Sequence, residues 1–331
     1  MLEGLSGLDE FVVEIDERGH PQNHPRNLKE ATKVGGLLVA VNRNASGLEE
    51  PEKTTGELVA ILEELGEQAA GVVTGSEREL WDVLRSAEEL DQRVVLVGGD
   101  GTVHAAANAP LRRLPELALV PTGRANNVGR ALGIPASRGE ALAVAAGAPA
   151  RPIDALRVAT PDRFIYAVEA VSAGFQAEAR SGYEAENSAD LVQGLKALVR
   201  AVRRFAPYTM KVELGTGRMR SAEAAQLFLS NLPFFGFGFE VDPGADPSDG
   251  RLEAILIEAR GRGRLLRLLA AARRGRHIGR RGVSRMSATR ARLTEPLPLV
   301  ADAVPLGVTT ATVSVEPARL RVASPHPGTS A

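Results

Sequence analysis

The clearest pattern in this chain is an alternation of apolar runs with segments whose apolar residues recur at helical spacing. Four runs predict strands, at Gly36–Val41, Ala70–Thr74, Val94–Val97 and Leu117–Val120. Between them, Leu58, Leu62 and Leu65 share one face of a predicted helix that ends near Gly66, and Glu77–Glu89 predicts a second helix. Strands that alternate with helices predict a parallel sheet with right-handed crossovers.

The pattern changes after about residue 150, where apolar segments follow one another across Gly- and Pro-rich turns. They predict strands at Ile153–Val158, Phe164–Val171, Met210–Leu214, Ala224–Leu229, Leu297–Val300, Ala311–Val315 and Leu320–Val322. One helix, roughly Ala189–Arg204, interrupts them. This succession of apolar segments and turns predicts an antiparallel, β-rich second domain.

These patterns divide the chain of 331 residues into four parts. Residues 1–33 are expected to be an N-terminal extension with little core, and residues 324–331 a disordered tail. Residues 34–155 predict a nucleotide-binding α/β domain, and 156–323 a β-rich substrate domain whose last strands return toward the first domain. The predicted fold class is α/β plus β, a Rossmann-like parallel sheet followed by a sandwich-like domain.

Composition narrows the class of protein. A formal net charge of −1 gives no general attraction to nucleic acid, and 4% aromatic residues leave little for base stacking. The absence of cysteine excludes disulfides and thiolate metal sites. The first residues lack a basic segment typical of a signal peptide, and no apolar run approaches the ~20 residues of a membrane span. We therefore expect a soluble, cytoplasmic protein that can still touch a membrane surface.

The strongest chemical signal is the Gly-Gly-Asp-Gly-Thr turn at Gly98–Thr102, which follows the buried run Val94–Val97. Glycines allow backbone N–H groups to approach a phosphate, and a helix N-terminus adds positive potential. Asp100 would repel a phosphate unless it acts through Mg²⁺ or handles a proton. The alternative is a tight turn in which Asp100 only caps the following helix.

Three further loops follow predicted strands, at Asn42–Gly47, Thr74–Ser76 and Pro121–Arg130. Each is rich in Gly, Ser, Thr or Asn. Since the carboxyl ends of parallel strands meet at one sheet edge, small hydrogen-bonding groups are expected to line that edge, as a nucleotide cleft requires.

The ordered set of motifs resembles the catalytic domain of diacylglycerol kinases, a family that includes sphingosine kinases and bacterial lipid kinases. The matching segments are Gly98–Thr102, Pro121–Asn126, Ser172–Phe175, Asn231–Gly238, Pro243–Leu252 and Leu297–Asp302. The similarity runs from about residue 36 to 323. The first motif alone is shared with NAD kinases and phosphofructokinases.

The resemblance implies an ATP-dependent kinase of a lipid hydroxyl, with the nucleotide between two domains and Asp100 acting through Mg²⁺. The implied nucleotide-binding residues are Asn42, Gly47, Thr74, Gly98, Gly99, Gly101, Thr102, Gly123, Arg124 and Asn126. It also implies a structural metal site, in which Asp249 supplies a carboxylate while Asp246 and Arg251 supply backbone carbonyls. The alternative for this turn is an Asp-Gly turn without metal.

Several positions depart from the family pattern. The acceptor-side Glu, the expected proton acceptor of the lipid hydroxyl, is Val304, and Asp302 would need a different backbone path to replace it. Arg124 stands where the family has Thr; an arginine suits a phosphate through bidentate hydrogen bonds. Asn127 replaces an Asp, and His104, expected to face solvent or cap a helix, replaces an Asn.

Three functions remain open. The first is phosphorylation of a diacylglycerol-like hydroxyl with ATP and Mg²⁺. The second is a nucleotide- or lipid-binding family member with weak or lost catalysis, favoured by Val304. The third is a kinase of a soluble hydroxyl substrate, similar to NAD kinase. The expected partners are a lipid substrate and a transient membrane surface but no nucleic acid, and a dimer is compatible with the sequence.

Residues 260–292 are densely basic. One interpretation is a solvated helix face and loop, with Leu265, Leu266, Leu268 and Leu269 buried in the core. The other is contact with anionic lipid headgroups, with these leucines as the apolar face.

Overall fold

The computed structural model describes two compact units of the chain. It covers residues 12–15, 21–24, 36–184, 199–215, 217–236 and 238–325. Unit 1 comprises residues 1–153 and 319–331, and unit 2 comprises residues 154–318. None of the helices in the covered ranges is both long and apolar enough to cross a bilayer.

Unit 1 is built on a mainly parallel sheet. Its strands are β1 (Val12–Ile15), β2 (Pro21–His24), β3 (Leu37–Asn42), β4 (Ala69–Thr74), β5 (Arg93–Gly98) and β6 (Leu117–Pro121). Its helices are α1 (Pro51–Glu64), α2 (Glu77–Glu89), α3 (Asp100–Ala107), α4 (Asn127–Ala131) and α5 (Arg138–Gly147). The strands β6, β5, β3 and β4 are neighbours in that order and run parallel, which confirms the predicted sheet.

The apolar runs form these strands because a parallel sheet is buried on both faces. Val94, Val95 and Val97 of β5 are fully buried. Near the end of the chain, Val322 pairs in parallel with Leu117 of β6, so that a strand from beyond residue 318 extends the sheet of unit 1.

The helices follow the predicted spacing with one exception. Leu58 and Leu62 of α1 are buried, but Leu65 is 49% exposed because the helix ends at Glu64. The prediction for Leu65 is therefore wrong. Helix α2 begins after Ser76, whose hydroxyl accepts the backbone N–H of Glu79.

The described parts of the N-terminal segment contain two strands where the sequence predicted only an extension. The strands β1 and β2 form an antiparallel pair, and Val12 of β1 lies opposite Val72 of β4. The other residues of 1–33 lie outside the described part of the chain.

Unit 2 is β-rich and antiparallel, as predicted. Its strands are β7 (Ala150–Ala159), β8 (Phe164–Ala167), β9 (Ala170–Gly174), β10 (Tyr208–Leu214), β11 (Arg218–Ala224), β12 (Gln226–Ser230), β13 (Phe234–Phe235), β14 (Phe239–Glu240), β15 (Leu252–Ile257), β16 (Val283–Ala288), β17 (Arg290–Ala301) and β18 (Val304–Ala323), of which β7 and β18 extend beyond this unit. Its helices include α6 (Phe175–Glu184) and α7 (Arg262–Ala272). The strands run β16-β15-β12-β9-β17-β18, and β10 joins β11 to β17.

Two strand predictions in this unit need correction. The run Phe164–Val171 is not one strand, because the chain turns between β8 and β9 where the carboxylate of Asp302 accepts three backbone N–H groups. The two strands predicted at 311–315 and 320–322 are parts of one strand, β18.

Two other predictions fall partly outside the described residues. Residues 199–204 are helical, and the rest of the helix predicted at 189–204 is not described. The predicted tail includes Ser324, which is buried, so any tail begins after it, and residues 326–331 are not described.

His277 is fully buried in unit 2, and neither ring nitrogen has a hydrogen-bond partner of good geometry in the described chain. Burial lowers the pKa of this imidazole, and the nearby Val241 backbone and Asp242 oppose the shift only in part. The unfolded chain therefore takes up the proton first as the pH falls.

We expect the free energy of unfolding to decrease as the pH falls below about 6.5, the ordinary histidine value. One such proton contributes at most about 1.4 kcal/mol per pH unit. Urea unfolding between neutral and mildly acidic pH should show a smaller decrease for His277→Gln than for the wild type. Equal pH dependence in the two proteins would contradict this role of His277.

Candidate functional site

The four loops of the sheet edge are numbered in chain order: Asn42–Gly47, Thr74–Ser76, Gly98–Thr102 and Pro121–Arg130. The third loop joins β5 directly to α3. Gly99 is the N-cap of α3 in extended conformation, and Asp100 is its first residue. A Cβ atom at Gly98 would collide with the hydroxyl of Thr102, so this position requires glycine. At the N-terminus of α3, the backbone N–H of Thr102 donates to the carbonyl of Gly99 at 2.9 Å. The amides before Thr102 have no carbonyl four residues earlier in the helix, and amides of this kind can bind phosphates.

The fourth loop packs against the third through two glycines. A Cβ atom at Gly123 would lie 2.7 Å from the Cα of Gly99. The backbone N–H of Thr122 donates to the carbonyl of Gly98 at 3.0 Å. The sequence therefore places glycine on both sides of a backbone contact that leaves no room for a side chain.

Asn126 closes the fourth loop from within. Its backbone is left-handed, with φ 48°, a conformation that asparagine tolerates better than most residues. Its side-chain Oδ1 accepts the N–H of Gly123 at 2.9 Å, and its Nδ2 donates to the carbonyl of Gly123 at 2.8 Å. The position of Asn126 in this loop is thus explained by loop structure alone, and its contact with a nucleotide stays a prediction.

Asp100 connects the two loops electrostatically. Its Oδ1 accepts the backbone N–H of Val128, in the first turn of α4, at 3.0 Å. The capping role considered for this residue is therefore present, and the helix capped by this contact is α4. Because the carboxylate is half-buried beside the N-terminus of α3, it can still contribute an oxygen to a cation held with a phosphate.

The first loop joins the same cluster. The amide of Asn42 donates to the hydroxyl of Thr102 at 2.9 Å, and its Oδ1 accepts the N–H of Asn44. A Cβ atom at Gly47 would lie 2.5 Å from the carbonyl oxygen of Thr122. The structure thus brings together the first, third and fourth loops, as the sheet topology predicted.

The polar groups of the second loop are hydrogen-bonded within unit 1. Thr74 is 3% exposed, and its hydroxyl donates to the carbonyl of Val41. The N–H of Gly75 donates to the carboxylate of Glu79 at 2.6 Å. These groups already have partners inside unit 1, so the predicted contact between Thr74 and a nucleotide has no geometric support here.

Two polar residues of this region differ sharply in exposure. Arg124 is exposed, and within the described chain its guanidinium makes no hydrogen bond or ion pair. His104 is 7% exposed and lies beside Asn108, so the prediction that it faces solvent is wrong. His104 is buried because α3 is short and rich in alanine, so that the helix packs closely against the sheet.

Below the third and fourth loops lies a cavity of about 10 Å³, bordered by Leu96, Leu119 and Val128. This volume is at the lower limit for one water molecule. In unit 1, a nucleotide would therefore contact the exposed side of the loops.

Helix α3 is also fixed at its other end, by a residue that the sequence analysis missed. The guanidinium of Arg319 donates to the carbonyls of Ala107, Ala109 and Leu111 at 2.8–3.0 Å. Carbonyls at a helix C-terminus carry partial negative charge and favour a cation. No local pattern identifies this contact, because Arg319 is more than 200 residues away in sequence.

In unit 2, the turn after β17 is held by Asp302. This residue is buried with φ 50°, and its carboxylate accepts the backbone N–H groups of Val168, Glu169 and Ala170 at 2.8, 2.8 and 3.2 Å. Both carboxylate oxygens therefore accept backbone N–H groups of the turn between β8 and β9. Asp302 holds this turn against the turn that leads into Val304.

Glu169 is a second acidic residue of this region, and the sequence analysis missed it. It lies in the turn between β8 and β9, and its backbone N–H donates to Asp302. It is 6% exposed, and its Oε2 accepts the N–H of Gly236 at 3.2 Å. Its backbone carbonyl accepts the N–H groups of Asn231 and Leu232. The sequence signal was available, because a glutamate interrupts the apolar run of Phe164–Val171.

The turn predicted to bind a structural metal is closed by hydrogen bonds. Asp249 accepts the N–H of Arg251, and Asp246 accepts the N–H and hydroxyl of Ser248. Within the described residues, no three acidic or histidine side chains converge as a metal site. The expected donor set has one carboxylate and two carbonyls, so a metal at this turn stays a prediction.

A buried acid outside the turn explains its shape without a cation. Asp154 is 3% exposed; its Oδ2 accepts the N–H of Gly250 at 2.8 Å, and its Oδ1 accepts the N–H of Ala318 at 2.9 Å. The backbone N–H of Asp154 donates to the carbonyl of Pro247. The sequence signal that was missed is an aspartate inside the apolar strand β7.

Two family models match this chain. The diacylglycerol kinase catalytic domain matches residues 36–158. The YegS C-terminal NAD kinase beta sandwich-like domain matches residues 169–324. The first match lies largely in unit 1, and the second lies largely in unit 2.

Named relatives agree with these matches. A "Probable lipid kinase YegS-like" of Chromohalobacter salexigens is 29% identical over 211 residues, 61% of this chain and 65% of that protein, so the chain spans just under two thirds of this relative. A diacylglycerol kinase of Mycobacterium tuberculosis is 25% identical over 308 residues, 88% of this chain and 96% of that protein. A crystal structure of a diacylglycerol kinase from Bacillus anthracis has a TM-score of 0.65 at 17% identity and covers 88% of this chain and 98% of its own, a likeness of fold.

The contact between the two glycines gives a test of the loop cluster. We expect Gly123→Ala to destabilise the protein by about 1–3 kcal/mol, because the added methyl group would force the third and fourth loops apart. The matched control is Gly139→Ala, where a Cβ atom meets nothing within 4 Å. Its free energy of unfolding should be unchanged or raised by up to about 1 kcal/mol.

Urea unfolding measures both variants. Gly101→Ala, which also has open space around the added Cβ atom, serves as a second control within the third loop itself. Equal stability of Gly123→Ala and these controls would show that the loops do not depend on this contact.

Proposed function

This chain belongs to the diacylglycerol kinase catalytic-domain family, and on that premise we propose that it transfers the γ-phosphoryl group of ATP to a hydroxyl of a diacylglycerol-like lipid. The observation that carries the proposal is the cluster of Asn42, Gly98–Thr102 and Gly123–Asn126 around the N-terminus of α3. A cluster of glycines with a helix N-terminus is suited to bind phosphates.

In this proposal the residues of unit 1 bind and orient the nucleotide. Amides of the α3 first turn bind phosphate oxygens, and Arg124, which is exposed and has no partner among the described residues, adds a bidentate contact. Positioning and electrostatic stabilisation supply most of the catalysis in phosphoryl transfer. The rigid contacts between the loops therefore matter more to the reaction than any single proton acceptor.

Asp100 is the residue that would hold Mg²⁺. The donor set fits, because Mg²⁺ in kinases is bound by one or two carboxylates together with the phosphates of the substrate, and does not need a cage of three acids. When bound, the ion would neutralise charge on the transferred group. Asp100 also keeps α4 in register through Val128, so its two roles are coupled.

The acceptor side requires a group that takes the hydroxyl proton. As the acceptor oxygen bonds to the γ-phosphorus, the bond to the β,γ-bridging oxygen breaks, ADP leaves, and the hydroxyl proton must go to a base. Val304 has no acceptor, and both oxygens of Asp302 accept backbone N–H groups. We infer that Glu169, whose backbone N–H donates to Asp302, takes this proton.

A second candidate function rests on the same turn. If no carboxylate replaces the one missing at Val304, the protein binds nucleotide or lipid with little transfer. This candidate is favoured by the use of Asp302 as a structural residue, and it differs from the first in measurable activity alone.

The proposal is tested with purified protein, radiolabelled ATP, Mg²⁺ and diacylglycerol in neutral detergent micelles. We expect labelled phosphatidic acid and a decrease in kcat of about 10²-fold or more for Asp100→Asn. The asparagine keeps an oxygen for the Val128 N–H but removes the charge, so an unchanged melting temperature would accompany the loss.

Three other outcomes would separate the candidate functions or contradict the role of Asp100. ATP that raises the melting temperature without any labelled lipid would support the binding protein. Label in a water-soluble product instead of the lipid would support a kinase of a soluble hydroxyl. Full activity of Asp100→Asn would overturn the role of Asp100.

The role of Glu169 is tested separately. We expect Glu169→Gln to lower kcat by about 10²–10⁴-fold, the usual contribution of a general base, with little change in KM for ATP. Glutamine can still accept the Gly236 N–H, so the turn should remain intact. The matched control is Glu258→Gln, a partly buried acid of unit 2 that pairs with Arg220.

A merely structural role of Glu169 would change the melting temperature and leave the pH profile of kcat intact. The proposed role predicts that the decrease in kcat at acidic pH, which is expected of the wild type, is lost in Glu169→Gln. Activity and pH profile equal to the wild type would show that the proton leaves by another route.

A further inference from the structure

The segment of residues 260–282 in unit 2 has an extreme charge pattern. It contains nine arginines and no aspartate or glutamate, whereas the whole chain has 40 basic and 41 acidic residues. We name as the arginine surface these nine residues: Arg260, Arg262, Arg264, Arg267, Arg273, Arg274, Arg276, Arg280 and Arg281.

Helix α7 presents part of this surface. Its inner side buries Leu265 and Leu268 against the core, as one interpretation of the sequence expected. Its outer side carries the exposed Arg262 and Arg267. Leu266, four residues after Arg262, is 47% exposed and therefore lies among these cations instead of in the core.

The positive charges of these nine arginines are not paired with acidic side chains in the described part of the chain. Within the described residues, no carboxylate forms an ion pair with any of the nine. Arg264, Arg267 and Arg280 donate instead to backbone carbonyls of the same segment. These bonds hold the side chains in place without pairing them with a carboxylate, and the nearby Glu240 carboxylate lies against Gly275 and forms no ion pair with the nine arginines among the described residues.

Other arginines of unit 2 behave differently. Arg220 pairs with Glu258 at 3.4 Å, and Arg285 pairs with Asp242 at 2.9 Å. Acidic partners are thus available to arginines in this unit, and the arginine surface is the part without them. An uncompensated patch of this size costs self-repulsion unless an anionic partner offsets it.

We propose that the arginine surface docks onto an anionic lipid bilayer. Two features favour a bilayer over a nucleic acid. Guanidinium groups bind phosphates bidentately in both, but the exposed Leu266 gains free energy only where an apolar interior lies below the phosphates. Residues 260–282 also contain no Phe, Tyr or Trp on which bases could stack, and the ring of Phe239 is already covered by the guanidinium of Arg273.

The proposed function supplies the context for this partner but is not needed to test it. A lipid acceptor resides in a membrane, so docking would deliver the enzyme to its substrate. Binding to vesicles is measured without ATP, whereas the kinase assay in neutral micelles needs no anionic surface. Failure of one can therefore be distinguished from failure of the other.

The experiment measures cosedimentation of the full-length protein with phosphatidylcholine vesicles that contain or lack phosphatidylglycerol. Binding is expected only to the anionic vesicles and should weaken as salt is added. Each basic residue near such a surface strengthens binding about fivefold, so Arg267→Glu with Arg274→Glu should weaken it by about 25-fold or more.

The matched control reverses two arginines of α2 in unit 1, Arg78→Glu with Arg85→Glu. These are exposed and have the same spacing of seven residues, so the change in net charge is identical. The control should bind the anionic vesicles within about threefold of the wild type, and both double variants should keep their micellar kinase rate.

A third variant distinguishes a bilayer from other polyanions. Leu266→Ser should weaken binding to anionic vesicles several-fold without changing binding to a DNA duplex. Equal losses in the two double variants, equal binding to neutral vesicles, or tighter binding to the duplex than to the vesicles would each overturn the proposal.

Discussion

The candidate site depends on one close approach, between the backbones of Gly99 and Gly123. Two loops from adjacent parallel strands can meet here only because neither carries a side chain. Their contact brings the carboxylate of Asp100 within hydrogen-bond distance of Val128 and lets Asn42 reach Thr102. A larger residue at either glycine would separate the elements that carry these groups, so the arrangement is a consequence of backbone packing.

Helix α3 is fixed at its C-terminal end by a charge of the appropriate sign. The cation of Arg319 at that end agrees with the helix dipole, as a phosphate at the N-terminal end also would. Arg319 reaches its carbonyls only because the end of the chain adds a strand beside β6. The last strand therefore belongs to the support of the candidate phosphate site, although it is distant from that site in sequence.

The second half of the chain shows how a motif can keep its shape after its chemistry has changed. Asp302 retains a structural purpose because three backbone N–H groups of one turn converge on it. That purpose does not depend on the residue at position 304. A valine can thus stand there without disturbing the hydrogen bonds of Asp302.

Buried acids in this half have well-defined structural tasks. Asp154 holds the Asp-Gly turn through Gly250, and Asp302 holds the turn before β9. Each accepts backbone N–H groups that would otherwise be buried without partners, at a cost of about 1–3 kcal/mol apiece. Sequence patterns that single out acids therefore identify structural residues as readily as catalytic ones, and only their hydrogen bonds separate the two.

The sequence by itself determined the parallel sheet, the antiparallel second half and the glycine loops, because apolar periodicity and turn chemistry are local properties. It also identified Gly98–Thr102 and Gly123–Asn126 as neighbours at one edge, since parallel strands end together. Only the tertiary structure decided that Thr74 faces inward, that His104 is buried, that Asp302 accepts three backbone N–H groups, that Glu169 lies beside Asp302, and that Arg319 binds the C-terminal end of α3. These outcomes depend on which distant backbone groups need a hydrogen-bond partner, and that is settled by long-range packing, which no local pattern encodes.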